Sequence, residues 1–277
     1  MGVYEITSPD ASELSPYRSL KQPRAQRELF IAESVPVIRL ALEAGCEPVS
    51  FLMARRHIAG KAAEVLAGRD VPVYTAPDET LETLTGFPLT RGVLCAMRPL
   101  PSPPPGEILR ASRRVCVLEG LTDASNVGSV FRAAASLGMD GVLLGDRCPS
   151  PLSRKALRVS MGAVFQVPWA VCPKEGLPLA EIRASGFTLA ALALAPDALP
   201  PDAPVLRQRK KLALLLGSEG AGLKKETIAE CDFSVCIPMR RGVDSLNVAQ
   251  AAAIAFWEAG KITLQDASPS VPCRSDE

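Results

Sequence analysis

A chain of 277 residues, 47% hydrophobic and 22% charged, is long enough for one large or two medium globular domains with real cores. It contains no uninterrupted apolar run of about 18 residues, and so offers no candidate transmembrane helix. The net charge is +1, with 11 Lys and Arg against 12 Asp and Glu in residues 1–98 and 20 against 18 in 99–277, so any surface for a polyanion must be a local patch.

The first residues lack the basic-then-apolar plan of a secretory signal, and Ile6 stands where a myristoylation pattern needs Ser or Thr. "FIAESVPVIRLALEAG" at 30–45 predicts a strand end running into an amphipathic helix that stops at Gly45. There follow a buried strand, "PVSFLMA" (48–54), a helix, "GKAAEVLAG" (60–68), and a strand, "VPVYTA" (71–76). A helix opened by Pro and acidic residues, "PDETLETLTG" (77–86), and a strand, "GVLCAMR" (92–98), complete the series. This alternation predicts a small α/β/α layer over residues 1–98. Next comes "PLPSPPPGE", with five prolines between Pro99 and Pro105. Such a run continues neither a helix nor a central strand, so 99–106 reads as a semi-rigid linker.

Beyond it, strands are predicted at "RRVCVLEG" (113–120), "GVLLGD" (141–146), "VPWAV" (167–171), "FTLAALAL" (187–194), "KLALLLG" (211–217) and "FSVCIP" (233–238), with helices between and after them. These are near-continuous apolar runs, the pattern of a mostly parallel sheet covered on both faces. The fold class is therefore α/β, with a second body over 107–265 and a flexible tail at 266–277. The Pro-rich "APDALPPDAP" (195–204) reads as a loop between two of the strands. The eight cysteines are scattered without a CxxC pair, mostly among apolar neighbours, which suits reduced thiols in a cytoplasmic protein. With a single histidine, His57, no metal site is expected, and the second body has no histidine to serve as a base.

Three stretches of the second body set a polar or glycine-containing turn against an apolar strand or at the start of an Ala-rich helix, where backbone N–H groups and small residues admit a ligand. In "DASNVGSVFRAAASLG" (123–138), Asn126 reads by itself as a helix N-cap and Arg132, six residues on, as a surface cation. In "LLLGSEGAGL" (214–223), a phosphate loop of Walker type would need Lys where Leu223 stands, and the Glu219 carboxylate suits a cationic or hydroxyl-bearing ligand better than a polyanion. In "IPMRRGVDSLNVAQAAAIAFWE" (237–258), Ser245 or Asn247 reads as the N-cap of the helix that follows.

In this order the three stretches resemble the signature motifs of the SpoU/TrmH family, SPOUT methyltransferases that transfer a methyl group from S-adenosylmethionine to a ribose 2′-hydroxyl in RNA. The resemblance implies a deep trefoil knot in the C-terminal body and a homodimer whose interface completes the active site. It implies an N-terminal RNA substrate-binding domain related to a ribosomal-protein fold, with ribosomal RNA ahead of transfer RNA as substrate. Carried over residue by residue, it makes Arg132, Asn126, Glu219, Ser245 and Asn247 the catalytic group and gives Gly217, Ile237 and Leu246 to the cofactor. The segment "PLSRKALRVSMGAVFQVPW" (151–169) also matches, with Arg154 and Arg158 available to RNA phosphates and Ser160, Gly162 and Ala163 allowing close helix packing. Further cations that could make a patch are Lys155, "RQRKK" at 207–211, and Arg240 with Arg241. Free arginine stays protonated below a pKa of about 12, so Arg132 acts either as a strongly perturbed base or by gripping phosphate and stabilising the oxyanion. The chain departs from the pattern at Arg241, where some relatives place glycine. The alternative from another class is a noncatalytic RNA-binding protein that has kept the fold.

Overall fold

The computed structural model describes residues 2–18, 28–85, 92–145, 147–242 and 244–260. In chain order these form β1 (Val3–Glu5), α1 (Ser15–Arg18), β2 (Phe30–Glu33), α2 (Val35–Glu43), β3 (Glu47–Met53), α3 (Ala63–Leu66), β4 (Val73–Thr75), α4 (Asp78–Thr85) and β5 (Val93–Arg98). Then follow α5 (Pro105–Ala111), β6 (Arg114–Glu119), α6 (Ala124–Ser136), β7 (Gly141–Leu144), α7 (Arg154–Ser160), β8 (Trp169–Val171), α8 (Leu179–Ala184), β9 (Thr188–Leu192), α9 (Pro204–Gln208), β10 (Leu212–Gly217), α10 (Lys225–Ala229), β11 (Phe233–Val235) and α11 (Val248–Gly260). The expected tail at 266–277, and residues 261–265 before it, lie outside the described residues.

The strands make two sheets, five-stranded in the order β1-β4-β3-β5-β2 and six-stranded in the order β11-β9-β10-β6-β7-β8. The chain divides into two compact units, each holding one sheet: 1–103 with 121–132 and 147–168, and 104–120 with 133–146 and 169–277. The proline run alone therefore does not separate the bodies, because the first unit takes back two later segments. Nor is the run all linker. Pro104 is extended, and Pro105 opens α5, a position where a fixed φ and a missing N–H are both tolerated.

In the first unit β5 pairs antiparallel with β2 and β3, while β4 pairs parallel with β3 and β1. One face of the sheet packs Leu14, Tyr17, Ile31, Leu52, Leu81 and Leu94 into a buried cluster. The Tyr17 hydroxyl donates to the Ser50 carbonyl at 2.8 Å, so the fully buried ring brings no unsatisfied polar atom with it. On α2, Val37, Ile38 and Ala41 are buried, and the chain leaves the helix at Gly45 with φ +93°, the stop expected from sequence.

The segment 147–168 belongs to this unit through close backbone approach. A Cβ on Gly128 of α6 would stand 2.5 Å from the Ala156 carbonyl oxygen of α7, and one on Gly162 would meet the Leu40 side chain of α2 at 2.8 Å. Phe165 packs against Phe30 of β2 with ring centroids 5.6 Å apart.

The second unit's sheet is parallel throughout. Val115, Val117, Leu143, Leu189, Ala213 and Leu215 point into one core cluster. Their alternating neighbours Cys116, Leu118, Val142, Leu214 and Leu216 are equally buried, so both faces are covered, as the unbroken apolar runs require. All seven described cysteines are free thiols.

Candidate active site

β10 ends at Gly217, in register with Glu119 at the end of β6, so the loops beyond them leave the sheet side by side at its carboxyl edge. The chain after Gly217 folds straight back. The Gly222 N–H donates to the Ser218 carbonyl at 2.9 Å, and Gly222 takes φ +67°. A Cβ on Gly217 would fall well inside 3.0 Å of the Gly222 and Leu223 backbone, closer than real Cβ atoms come. Glycine is needed there for close approach, not for a positive φ.

The far end of this loop is tied to the sheet by Glu119. Its side chain is 8% exposed and accepts from the Lys224 N–H and the Thr227 hydroxyl, each at 2.9 Å, with Lys224 Nζ 3.8 Å away. Sequence reading passes over this residue, because a single carboxylate at the end of an apolar strand carries no signal of its own. Hydrogen bonds to charged groups contribute about 1.5–3 kcal/mol each. Glu119→Ala should therefore lower the unfolding free energy by about 2–3 kcal/mol in urea titrations, with Glu119→Gln losing less; a stability equal to wild type would show that the tether contributes nothing.

The second wall comes from the strand-to-helix passage between β11 and α11. Asn247 caps α11: its Oδ1 accepts from the Ala249 N–H at 2.9 Å, and its carbonyl from the Ala251 N–H at 3.0 Å. Its Nδ2 donates to Glu219 Oε1, so the cap and the cross-link to the Gly217 loop reside in one side chain. Arg241 holds φ +60° and Gly242 φ +71°. The turn that glycine would make at 241 is thus kept, with arginine in the left-handed conformation.

Between these walls lies a cavity of about 570 Å³, within the range of small-molecule sites. Gly217, Glu219, Ile237, Ser245 and Leu246 all line it, which brings together five residues from two separate motifs. Leu192, Leu216 and Val248 add apolar wall suited to a flat ring. Glu219 and Asp244 are the charged residues lining it, and no Lys, Arg or His does so among the described residues. A site lined by two carboxylates and no cation disfavours phosphates and favours a ligand with positive charge. S-adenosylmethionine meets those conditions: an adenine for the apolar wall, hydroxyls and a sulfonium for the carboxylates.

The remaining expected residues lie in the first unit. Asn126 is the third residue of α6, not its cap; Asp123 takes that place, its carboxylate accepting from the Ser125 N–H at 2.9 Å and from Lys155 Nζ at 2.8 Å. The Lys155 bond and then the backbone bond hold the Asp123 carboxyl below its ordinary pKa. Arg132 is exposed and makes no ion pair among the described residues.

The expectation for Arg154 needs correction. Its Nε and Nη2 reach Glu33 Oε2 at 3.0 and 2.9 Å, with side chains only 12% and 5% exposed, so it fastens α7 to β2 and does not stand open to phosphate. Burial pulls its pKa below the usual arginine range against the opposing pull of Glu33. Arg158 is exposed on the same helix. Of the 207–211 run, Arg207 pairs with Glu258 at 3.3 Å and Lys211 donates to the Leu109 carbonyl at 2.9 Å, leaving Arg209 and Lys210 outermost.

A parallel sheet whose returning loops enclose such a cavity, joined to a smaller α/β body, is the architecture of a SPOUT methyltransferase, an α/β fold with a deep trefoil knot. Residues 113–257 match the SpoU rRNA Methylase family. The chain is 38% identical over 265 residues to an uncharacterized tRNA/rRNA methyltransferase of Mycobacterium bovis, covering 93% of this chain and 92% of that one. It is 33% identical over 155 residues to the 23S rRNA (guanosine(2553)-2′-O)-methyltransferase RlmP of Bacillus subtilis, covering 55% of this chain and 60% of that one. The AdoMet-bound rRNA methyltransferase from Sinorhizobium meliloti superposes with a TM-score of 0.79 at 27% identity, covering 94% of this chain and 98% of that one. The chain belongs to the SpoU rRNA Methylase family. Among the described residues no helix is long and apolar enough to cross a membrane.

Proposed function

We propose that this protein methylates a ribose 2′-hydroxyl of a structured RNA, using S-adenosylmethionine, and that its substrate is ribosomal RNA ahead of transfer RNA. The observation that carries the reading is the cavity with two carboxylates and no cation, built from the Gly217 loop and the 237–248 passage. The AdoMet bound by the Sinorhizobium meliloti relative and the 2′-O chemistry of the Bacillus subtilis one support it. When bound, S-adenosylmethionine supplies a methyl group activated on sulfonium.

The chain's own residues do the rest. Gly217, Ile237 and Leu246, which line the cavity, would hold the cofactor through backbone and apolar contact, and Glu219, bonded by Asn247, would serve its polar and cationic part. Ser245, Asn247 and Asn126 serve the reacting centre. Arg132 would grip the target phosphate and stabilise negative charge on the ribose 2′-oxygen as its proton passes to a neighbouring group or to water.

The protein acts in the cytoplasm as a homodimer. The outward side of α11, where Trp257 is 49% exposed, is the apolar surface a second copy would cover. Residues 1–98 supply the RNA substrate-binding domain. Calorimetry tests the reading: S-adenosylhomocysteine should bind, and NAD and ATP should not. Ribose-methylation mapping of total RNA from wild-type and deletion strains should then show one lost methyl group; binding of ATP in preference, or an unchanged map, would sink it.

A further inference from the structure

Three non-glycine residues among those described have positive φ: Ser34, Met161 and Arg241. Ser34 precedes α2, and Met161 closes α7, its N–H returning to Arg158 and Leu157 as a left-handed helix cap does. Arg241 ends no helix. It sits in an open passage beside Gly242, which already supplies a residue free to turn either way. An L side chain resists this conformation, and such residues persist mainly where function holds them.

The neighbourhood shows what that function needs. Met239 and Asp244, on either side, line the cavity, and Arg240 and Arg241 lie between them on the passage that borders it. Both are exposed, and among the described residues neither makes an ion pair or a side-chain hydrogen bond. Several other cations of the second unit are engaged internally, Arg183 with Asp232 at 2.7 Å, Arg207 with Glu258, and Arg114 with backbone carbonyls, while Arg209 and Lys210 are exposed as Arg240 and Arg241 are but flank no residue that lines the cavity. Two adjacent guanidinium groups beside a site that excludes cations from its own lining have the chemistry of a phosphate grip, for which arginine's planar fork is suited.

We propose that Arg240 and Arg241 clamp the RNA backbone at the mouth of the cofactor cavity, and that the left-handed conformation of Arg241 presents its guanidinium to a phosphate next to the target nucleotide. This rests on the methyltransferase reading, and it assigns RNA binding to the cofactor-bearing unit itself, in addition to the N-terminal domain.

The test uses the full chain, an unmodified 23S ribosomal RNA transcript, and the variants Arg241→Gly and Arg240→Gln. Arg241→Gly relieves the backbone, so it should fold and melt about 2 °C higher. S-adenosylhomocysteine affinity should stay within twofold for both variants. RNA affinity at low salt should fall about fivefold or more, and the slope of log affinity against log salt should shrink by roughly 0.7–0.9 for each phosphate that the variant no longer neutralises. An unchanged slope and affinity in both variants, or wild-type protein that binds S-adenosylhomocysteine but no RNA, overturns the clamp. If the slope shrinks as expected while no form of the protein binds S-adenosylhomocysteine, the clamp stands and the methyltransferase reading falls.

Discussion

Replacing Arg132 by Ala should lower the rate of methyl transfer by about 10²–10³ and leave S-adenosylhomocysteine affinity where it was. Arg132 is absent from the lining of the cavity, so the cofactor loses nothing directly when it goes. It lies inside α6 and is exposed, and Ala is at least as good a helix former there, so the scaffold loses nothing either. What disappears is the cation proposed to act on RNA and on charge developing at the ribose oxygen. Arg132→Lys keeps the charge but not the fork and should recover part of the rate. Turnover within a few-fold of wild type in the Ala variant would take Arg132 out of the chemistry.

Gly217→Val should weaken S-adenosylhomocysteine binding by at least about tenfold, or roughly 1.4 kcal/mol, with the far-ultraviolet circular dichroism of a folded protein. Sequence alone suggests a branched side chain projecting into the pocket or forbidding the backbone angles. The structure gives another reason: the first carbon of any side chain falls on the backbone of Gly222 and Leu223. Gly217→Ala should therefore already do most of the damage, by forcing open the loop that carries Glu219. The sheet beneath does not depend on that loop, since Leu214, Leu215 and Leu216 stay buried between covered faces. A folded Val variant with unchanged affinity would place the cofactor site elsewhere.

The six parallel strands are legible in the sequence because a strand buried on both faces is an apolar run with turns at its ends, and that pattern survives without any knowledge of partners. β1 and α1 are not, since residues 2–18 hold no apolar run between turns; β1 is exposed along its length, and Tyr17 reveals its place only through a hydrogen bond to Ser50. Asn247 is legible as a cap because capping is local, whereas Asp123 is passed over for Asn126, a residue of the same capping type three positions on. Arg154 fails for a different reason. An arginine's surroundings are set by what folds over it, and Glu33, 121 residues away, is found only in three dimensions.

The composition of the first unit fixes when it can form. Its sheet is complete once Arg98 has been made, yet Arg154, Phe165 and Gly162 complete the packing of β2 and α2 and are synthesised long afterwards. Until Arg154 has been made Glu33 is a buried-to-be carboxylate without its cation, and until Phe165 follows Phe30 is a ring without its mate. The nascent N-terminal segment must wait, with apolar surface uncovered, while α5, β6 and β7 of the second unit emerge between its own parts. The two units are thus interleaved in time as well as in sequence, and neither can be finished first from the N-terminus alone.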